Sequence, residues 1–210
     1  MERTPSYHAD WIYKLEPKIR WELYWMQQKI MEPYIKKDHN LLELGVGSGF
    51  CSNYLKSKGY KIETIDIDEE KDPDILCNIL DWMPTKKYNG FLSFQVFEHL
   101  KFEDFEDIIN KLANLKIEYL YISVPYNSMS KKKLVMGDLF LPKIGKKNLY
   151  ITWPYKKSIP IRCETHMWEL DDSAISKDKY YKVYSDNDYK KIHSQKIYYA
   201  QYDVFKIKNG

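Results

Sequence analysis

Three glycines at alternate positions are the first feature of the sequence with a chemical implication. They are Gly45, Gly47 and Gly49, and with Ser48 they lie in the heptapeptide ELGVGSG that begins at Glu43. Glycine lets a backbone turn tightly and approach a ligand closely. The spacing differs from the dinucleotide fingerprint GxGxxG, and no GxxxxGK phosphate loop is present. We therefore expect a cofactor of another kind against this loop.

An acid follows the glycines at a separation that suits a nucleoside. Asp66 stands twenty-one positions after Gly45, in the run ETIDIDEE, and Ile67 adjoins it. A carboxylate at the end of a second strand can accept hydrogen bonds from both hydroxyls of a ribose. The alternative is a surface aspartate at a strand end, which the preceding glycines disfavour.

Two of the five histidines are candidates for acid–base chemistry. His99 lies in FEHL and His166 in THMWEL. An imidazole can act as a general base near neutral pH. For His99 the alternative is a role in capping and packing the start of a helix.

From residue 40 onward the sequence predicts strands that alternate with helices, and this fold would position the glycines and Asp66. Five strands are predicted at Asn40 to Leu44, Lys61 to Ile67, Asp74 to Cys77, Gly90 to Val96 and Glu118 to Val124. Helices are predicted at Cys51 to Ser57 and around the periodic apolar positions from Phe102 to Leu115, and Glu98 and His99 are expected to begin the second of these helices. Parallel strands need a crossover, usually a helix, so the order predicts an α/β fold with a doubly wound, mostly parallel sheet. The glycine loop then lies at the carboxyl ends of the strands, where such sheets bind ligands.

The rest of the chain flanks this core. Residues 1–39 are expected to form an N-terminal helical cap, with breaks at Pro17 and Pro33. Residues 40–125 form the cofactor-binding core, and residues 126–168 an inserted lid or hairpin. Residues 169–210 contain strands predicted at Tyr180 to Tyr184 and Tyr198 to Lys208, an antiparallel edge pair that completes a sheet of seven.

Composition limits the other possibilities. A chain of 210 residues fits one domain, and it has no apolar run long enough for a membrane helix and no secretory signal. Cys51, Cys77 and Cys163 are odd in number and scattered, which fits a reducing cytoplasm. A net charge of +3 is too small to imply nucleic-acid binding by itself.

Together these motifs resemble the class I S-adenosylmethionine-dependent methyltransferases of the type 11/12 group. ELGVGSG resembles their motif I, DILCNILDWMP their third-strand segment and YNGFLSFQVFEHL their fourth-strand motif FDxVxxxxVLEHL. The resemblance covers residues 38–125 and implies a Rossmann-like methyltransferase fold with S-adenosyl-L-methionine as cofactor. The cofactor-binding residues that it implies are Glu43, Gly45, Gly47, Ser48, Gly49, Asp66, Ile67, Asn78, Ile79 and Gln95.

The resemblance also implies roles along the cofactor. Asp66 would bind the ribose, and Gln95 would lie near the methionine part. The Asn78 side chain would meet the adenine amino group and the Ile79 amide the ring, although the family often has Asp at the first position. Asp81 is the alternative partner, and Trp82 either stacks on adenine or fills the core, which we favour.

A metal is not expected. Metal-dependent small-RNA 2'-O-methyltransferases carry ExxEH where this chain has Gln95, Glu98 and His99, so the first carboxylate is missing. The resemblance leaves His99 and His166 as candidate catalytic residues near the methyl acceptor.

The insertion should select the acceptor. Trp153, Tyr155, Trp168 and the lysines between residues 131 and 157 suit a sugar ring with an anionic group, although the aromatic residues could equally pack against the cap. We expect a small molecule or a nucleotide-linked sugar or glycan as the acceptor. The alternatives are an RNA acceptor and, in another class, a catalytically inactive cofactor-binding subunit.

Overall fold

The computed structural model describes residues 17–126, 131–141, 145–154, 163–171 and 175–208, and for 131–141 and 145–154 it describes the main chain alone. The helices are α1 (Lys18–Met31), α2 (Phe50–Ser57), α3 (Phe102–Asn114) and α4 (Lys177–Asp186). The strands are β1 (Asn40–Leu44), β2 (Lys61–Asp66), β3 (Ile75–Leu76), β4 (Gly90–Phe94), β5 (Tyr119–Pro125), β6 (Lys131–Leu141), β7 (Gly145–Pro154), β8 (Tyr189–Ile197) and β9 (Ala200–Ile207). None of the helices described is both long and apolar enough to cross a bilayer.

Seven strands form one sheet in the order β3-β2-β1-β4-β5-β9-β8. The five strands from β3 to β5 run parallel, whereas β9 is antiparallel to both β5 and β8. The predicted doubly wound, mostly parallel sheet of seven strands is therefore confirmed. Leu44 is in register with Ile65 on one side and Ser93 on the other, so the parallel strands end level with one another at the glycine loop.

Helices cover both faces of the sheet. Leu41 and Leu92 point to the face of α1 and α2, while Leu42 and Phe91 point to the face of α3 and α4. A strand covered on both sides must be apolar at successive positions, which explains the run LLEL of β1. Its one acid, Glu43, is consequently buried.

Within the predicted N-terminal cap the structure describes one helix, as the spacing of its apolar residues indicated. Helix α1 begins after Pro17 and ends at Met31, two residues before Pro33. Proline is tolerated at the start of a helix but cannot continue one, so both breaks were correctly placed. The part of the predicted cap before Pro17 lies outside the described residues.

Residues Tyr180 to Tyr184 were predicted to form a strand, and this was wrong because they lie within α4. Tyr180, Val183 and Tyr184 are buried at spacings of three and four, which fit one face of a helix. The Ser176 hydroxyl caps the helix by accepting a hydrogen bond from the Lys179 amide at 3.2 Å.

The edge strand of the sheet is instead Tyr189–Ile197, which was not predicted. Its sequence YKKIHSQKI is mostly polar because an edge strand exposes much of its surface. The last predicted strand is confirmed as Ala200–Ile207. Smaller differences are a third strand of two residues and a fourth that ends at Phe94, before Gln95.

The insertion contains a hairpin. Strands β6 and β7 pair antiparallel from Lys131 opposite Pro154 to Leu141 opposite Gly145. This confirms the hairpin alternative for residues 126–168. The side chains of Trp153, Tyr155 and the lysines between residues 131 and 157 lie outside the description, so their predicted contacts with an acceptor stay predictions.

Candidate functional site

The glycine loop joins β1 to α2 in left-handed backbone conformations. Gly45 has a φ of +80° and Gly47 a φ of +56°. A Cβ on Gly45 would lie 2.5 Å from Cγ2 of Val96, so this glycine is required by contact with the β4 end. At Gly47, which is exposed, a Cβ would meet nothing within 4 Å. The loop therefore packs closely on the protein at Gly45 and presents open backbone at Gly47.

Asp66, at the end of β2, lies directly beside this loop. Its Oδ2 accepts a hydrogen bond from the Val46 amide at 2.8 Å, and its Oδ1 accepts one from the Asp68 amide at 3.0 Å. Each carboxylate oxygen can accept more than one hydrogen bond, and the residue is partly exposed. Asp66 is thus held in place by backbone amides while keeping the capacity to accept from a ligand.

Glu43 lies beneath the loop rather than on its surface. The residue is 4% exposed, and its Oε2 has no hydrogen-bond partner among the described residues. Burial raises the pKa of Glu43 to about 7, against the lowering effect of the neighbouring Cys51 and Ser52 of α2. Its predicted link with a cofactor is therefore indirect, through the shape of the loop and of the helix start.

Helix α1 contacts the same loop through a residue that the sequence analysis missed. Tyr24 Oη and Ser48 Oγ share a hydrogen bond of 2.8 Å, and the Tyr24 ring stacks on Phe50 with centroids 4.5 Å apart. Tyr24 and Ser48 are twenty-four positions apart, and no local motif connects them. The cap thus restrains the loop at the one hydroxyl that it contains.

An exposed apolar side chain and an exposed amide side chain lie next to Asp66, after the ends of β2 and β3. The Asp66 carbonyl accepts a hydrogen bond from the Cys77 amide at 2.9 Å, which places Asn78 beside the end of β2. Ile67 is 48% exposed, and Asn78 is exposed with its Oδ1 accepting from the Leu80 amide at 3.0 Å. Such an exposed apolar side chain beside an amide group can receive a flat heteroaromatic ring.

The residues that follow Asn78 differ in their exposure to solvent. The Ile79 side chain is buried, and Trp82 is 4% exposed within the main hydrophobic core. The preference for Trp82 as a core residue is confirmed, and the stacking alternative was wrong because the ring faces the protein interior. Asp81 is exposed.

Gln95 follows β4 in a conformation that is unusual for its residue type. Its φ is +59°, in the left-handed region, and its Nε2 donates to Ser123 Oγ at 3.1 Å. Non-glycine residues in this region are strained by about 1–3 kcal/mol and concentrate at functional sites. The side chain lies where the carboxyl ends of β4 and β5 meet.

The two candidate catalytic histidines, which the sequence placed apart, lie together at this edge. The ring centroids of His99 and His166 are 5.1 Å apart. His99 lies in a single 3₁₀ turn, Phe97–His99, and α3 begins only at Phe102, so the prediction that Glu98 and His99 start that helix was wrong. The reason is that Leu100 adopts an extended conformation.

Hydrogen bonds orient both rings. Nδ1 of His99 lies 3.0 Å from the Thr165 carbonyl oxygen, and Nδ1 of His166 lies 3.0 Å from Glu169 Oε1. Because a carbonyl only accepts, Nδ1 of His99 carries a proton. Burial lowers the pKa of His99, so its ring is neutral near neutral pH and Nε2 can offer a lone pair.

Glu98, the residue before His99, is an acid that is completely buried. It is 0% exposed, and neither of its carboxylate oxygens has a hydrogen-bond partner among the described residues. Burial raises the pKa of Glu98, and the nearby Glu169 and Cys163 raise it further. A buried charged group without partners is costly, so this carboxyl group is poised to take a proton or a cation.

The segment 163–171 supplies His166 by crossing the ends of β4 and β5. The Met167 amide donates to the Glu98 carbonyl at 2.7 Å, and the Leu170 amide donates to the Pro125 carbonyl at 2.9 Å. Trp168 is 2% exposed, and its Nε1 donates to the Leu100 carbonyl at 3.1 Å. The prediction that Trp168 stacks on an acceptor was wrong, since the ring belongs to the core and anchors the segment.

A family model described as a methyltransferase domain matches residues 24–177. A search of the curated proteins finds no match.

Solved structures with the same fold share little sequence with this chain. A Burkholderia thailandensis 1,6-didemethyltoxoflavin-N1-methyltransferase with bound 1,6-didemethyltoxoflavin and S-adenosylhomocysteine is 9% identical with a TM-score of 0.60, and the match covers 96% of this chain and 82% of that one. Magnesium protoporphyrin IX methyltransferase from Synechocystis PCC 6803 with bound SAH is 13% identical with a TM-score of 0.59, and the match covers 94% and 91%. The glycopeptide N-methyltransferase MtfA with S-adenosyl-L-homocysteine is 9% identical with a TM-score of 0.56, covering 87% and 88%.

Proposed function

The chain belongs to the methyltransferase domain family, and we propose that it transfers the methyl group of S-adenosyl-L-methionine to a small-molecule or glycan acceptor. The observation that carries the proposal is the contact of Asp66 with the glycine loop, at the carboxyl ends of the parallel strands. That edge is where open α/β sheets bind their ligands.

The residues at this edge fit the parts of the cofactor. Asp66 would accept hydrogen bonds from the ribose hydroxyls, and the exposed backbone at Gly47 would let the amino acid part approach. The exposed Ile67 would receive the adenine ring, with Asn78 and the Ile79 amide as its polar partners. Gln95 lies toward the methionine end because it follows β4, next to β1 in the sheet. Glu43, Ser48 and Gly49 shape the loop from within.

Bound S-adenosyl-L-methionine supplies a methyl group that its sulfonium already activates. The protein's task is to hold the acceptor in line with that methyl group and to exclude water. Gln95 is fixed by its hydrogen bond to Ser123, so it can position groups at the strand end without rearrangement.

His99 and His166 lie on the acceptor side of this arrangement. The neutral His99 ring, with its proton on Nδ1, can take up a proton at Nε2 from an acceptor hydroxyl or ammonium group. Glu169 holds the His166 ring in a fixed orientation in the same way that Thr165 holds that of His99. The pair therefore fits an acceptor that must lose a proton.

Three of the structural neighbours support a modest acceptor size. Their names describe methyl transfer to a glycopeptide, a magnesium porphyrin and a toxoflavin precursor. The lysine-rich insertion, with eight lysines and one acid between residues 131 and 157, favours an acceptor with an anionic group.

Calorimetric titration of the protein with S-adenosylhomocysteine tests the cofactor assignment. We expect saturable binding of one molecule per chain, weakened in Asp66→Ala and unchanged in Asp107→Ala, an exposed aspartate on α3. Absence of binding would overturn the proposal.

Turnover is tested separately with methyl-labelled S-adenosyl-L-methionine and a panel of sugar nucleotides, glycopeptides, small heteroaromatic compounds and RNA. Label transfer to one of the first three supports the acceptor class. Transfer to RNA, with a steep salt dependence, would replace it. Cofactor binding without transfer to any compound of the panel counts for the inactive subunit.

A further inference from the structure

We infer that Glu98, His99 and His166 form a binding site for one divalent transition metal ion, such as Zn²⁺ or Mn²⁺. Each residue offers one ligand atom, and these three atoms all lie within 4.8 Å of one another. The sequence had argued against a metal because Gln95 replaces a carboxylate. The fold supplies the third ligand from His166, on a segment sixty-seven positions further along the chain.

The outer partners of the two imidazoles are those of metal ligands. A histidine that binds a metal through one ring nitrogen usually donates its other N–H to a carboxylate or a backbone carbonyl. Here the Thr165 carbonyl holds Nδ1 of His99 and the Glu169 carboxylate holds Nδ1 of His166, both at 3.0 Å. These hydrogen bonds orient both rings through Nδ1, so Nε2 is the atom through which each ring would bind the ion.

Glu98 provides the charge that the site needs. It is fully buried, and among the described residues neither of its carboxylate oxygens finds a donor. A cation would neutralise this carboxylate and take one of its oxygens as a ligand, since a bound metal ion is often the largest local charge in such a site. The proposed metal site is therefore supported by a buried acid without hydrogen-bond partners as well as by the short distances between the three ligand atoms.

The donor set selects the kind of ion. Two imidazoles and one carboxylate suit Zn²⁺, Fe²⁺, Mn²⁺ and Co²⁺, whereas Ca²⁺ and Mg²⁺ prefer oxygen ligands alone. Ligands bound at about 2.0–2.2 Å from one ion lie no more than about 4.4 Å apart. The present separations, all within 4.8 Å, reach that range with small rotations of the side chains.

Three protein ligands leave coordination positions open. If the proposed function holds, an oxygen atom of the methyl acceptor is the group that takes such a position, and the ion then lowers the pKa of that oxygen. In that state the imidazoles serve the ion and no longer act as proton acceptors. The acceptor class narrows to compounds with a hydroxyl or carboxylate near the methylated atom.

Metal titration of the full chain tests the inference without any turnover assay. Protein stripped with a chelator is titrated with zinc chloride by calorimetry, and with cobalt(II) chloride while its visible absorption is followed. We expect one ion per chain in the wild type and an affinity at least ~100-fold lower in Glu98→Gln and in His166→Gln. His193→Gln removes a partly exposed histidine on β8, outside the cluster, and should bind as the wild type does.

Two further measurements keep the result interpretable. Thermal unfolding and S-adenosylhomocysteine binding of each variant show whether it is folded. If the wild type binds no ion, or if both variants retain its stoichiometry and affinity, the inference is overturned. Failure of S-adenosylhomocysteine to bind, with metal binding intact, would overturn the proposed function and leave the metal site standing.

Discussion

The carboxylate of Asp66 accepts a hydrogen bond from the backbone amide of Val46 at 2.8 Å. The acid that closes β2 and the glycine loop that follows β1 are therefore one connected structure before any ligand arrives. Under the proposed function, the residue that would bind the ribose also fixes the backbone that would face the remainder of the cofactor. Changes at residue 66 should thus act on both parts.

Replacing Asp66 tests this double role. We expect Asp66→Ala to weaken S-adenosylhomocysteine binding by about 1–3 kcal/mol, the scale of a lost hydrogen bond to a charged group. Asp66→Asn keeps one oxygen acceptor and the side-chain volume, so it should lose less. Calorimetric titration measures both, with Asp107→Ala as the control. Equal affinities in the wild type and Asp66→Ala would contradict the ribose assignment.

Alanine substitution at Gly45 and at Gly59 separates the cost of left-handed backbone strain from the cost of steric overlap. Their φ angles are +80° and +79°, but an added Cβ meets Val96 at 2.5 Å only at Gly45. We expect Gly59→Ala to lower the free energy of unfolding by about 1 kcal/mol through left-handed strain alone. Gly45→Ala should lower it by a further 1–3 kcal/mol, roughly the penalty of overpacking.

Urea unfolding at constant m-value gives both free energies. Similar losses in the two variants would show that Val96 moves aside and that the loop is not tightly packed against β4. Gly47→Ala extends the comparison, because its Cβ meets no protein atom. It should affect S-adenosylhomocysteine affinity more than Gly59→Ala does.

The hydrogen bond between Tyr24 and Ser48 should couple the cap to the loop. A double-mutant cycle of Tyr24→Phe and Ser48→Ala is expected to give an interaction energy of about 0.5–1.5 kcal/mol in the free energy of unfolding. The Tyr24→Phe change keeps the ring that stacks on Phe50. Strict additivity of the two single changes would mean that the hydroxyl groups contribute nothing to each other's stability.

Glu43 should make the stability depend on pH. Its pKa in the folded protein is raised by burial to about 7, from an ordinary value of 4.5 that the unfolded chain retains. The folded state therefore binds this proton more tightly, so the contribution is fully present below pH 4.5 and is lost as pH rises through 7. The full loss is roughly 3 kcal/mol.

The measurement compares unfolding free energies of the wild type and Glu43→Gln between about pH 5 and 8. The free energy of unfolding of the wild type should fall relative to that of the variant as pH rises across this range. Glu98 and Asp203, whose pKa values burial also raises, are present in both proteins, so their effects cancel in the difference. Parallel curves would show that Glu43 titrates normally.

Much of the core was predictable because each strand and helix has its own local pattern. The buried runs of β1, β4 and β5 and the helical spacing of Phe102, Phe105 and Ile109 read directly from the sequence. The segment Tyr180 to Tyr184 was not readable in this way. Its tyrosines favour a strand, and the burial of Tyr180, Val183 and Tyr184 on one side decided for a helix.

The candidate site also has residues that local motifs predict and residues that they do not. The glycines and Asp66 belong to local motifs, whereas the pairing of His99 with His166 depends on where the chain returns after the insertion. No periodicity encodes such a return. The same holds for Tyr24, whose partner Ser48 is selected by the packing of α1 on the loop.

An isolated β-bridge joins Tyr126 to Leu170, so the two ends of the stretch between these residues lie side by side. A stretch whose two ends already meet can be lengthened, shortened or exchanged with little change in closure entropy. The length of chain between these two residues can therefore change while the strands of the seven-stranded sheet keep their pairing.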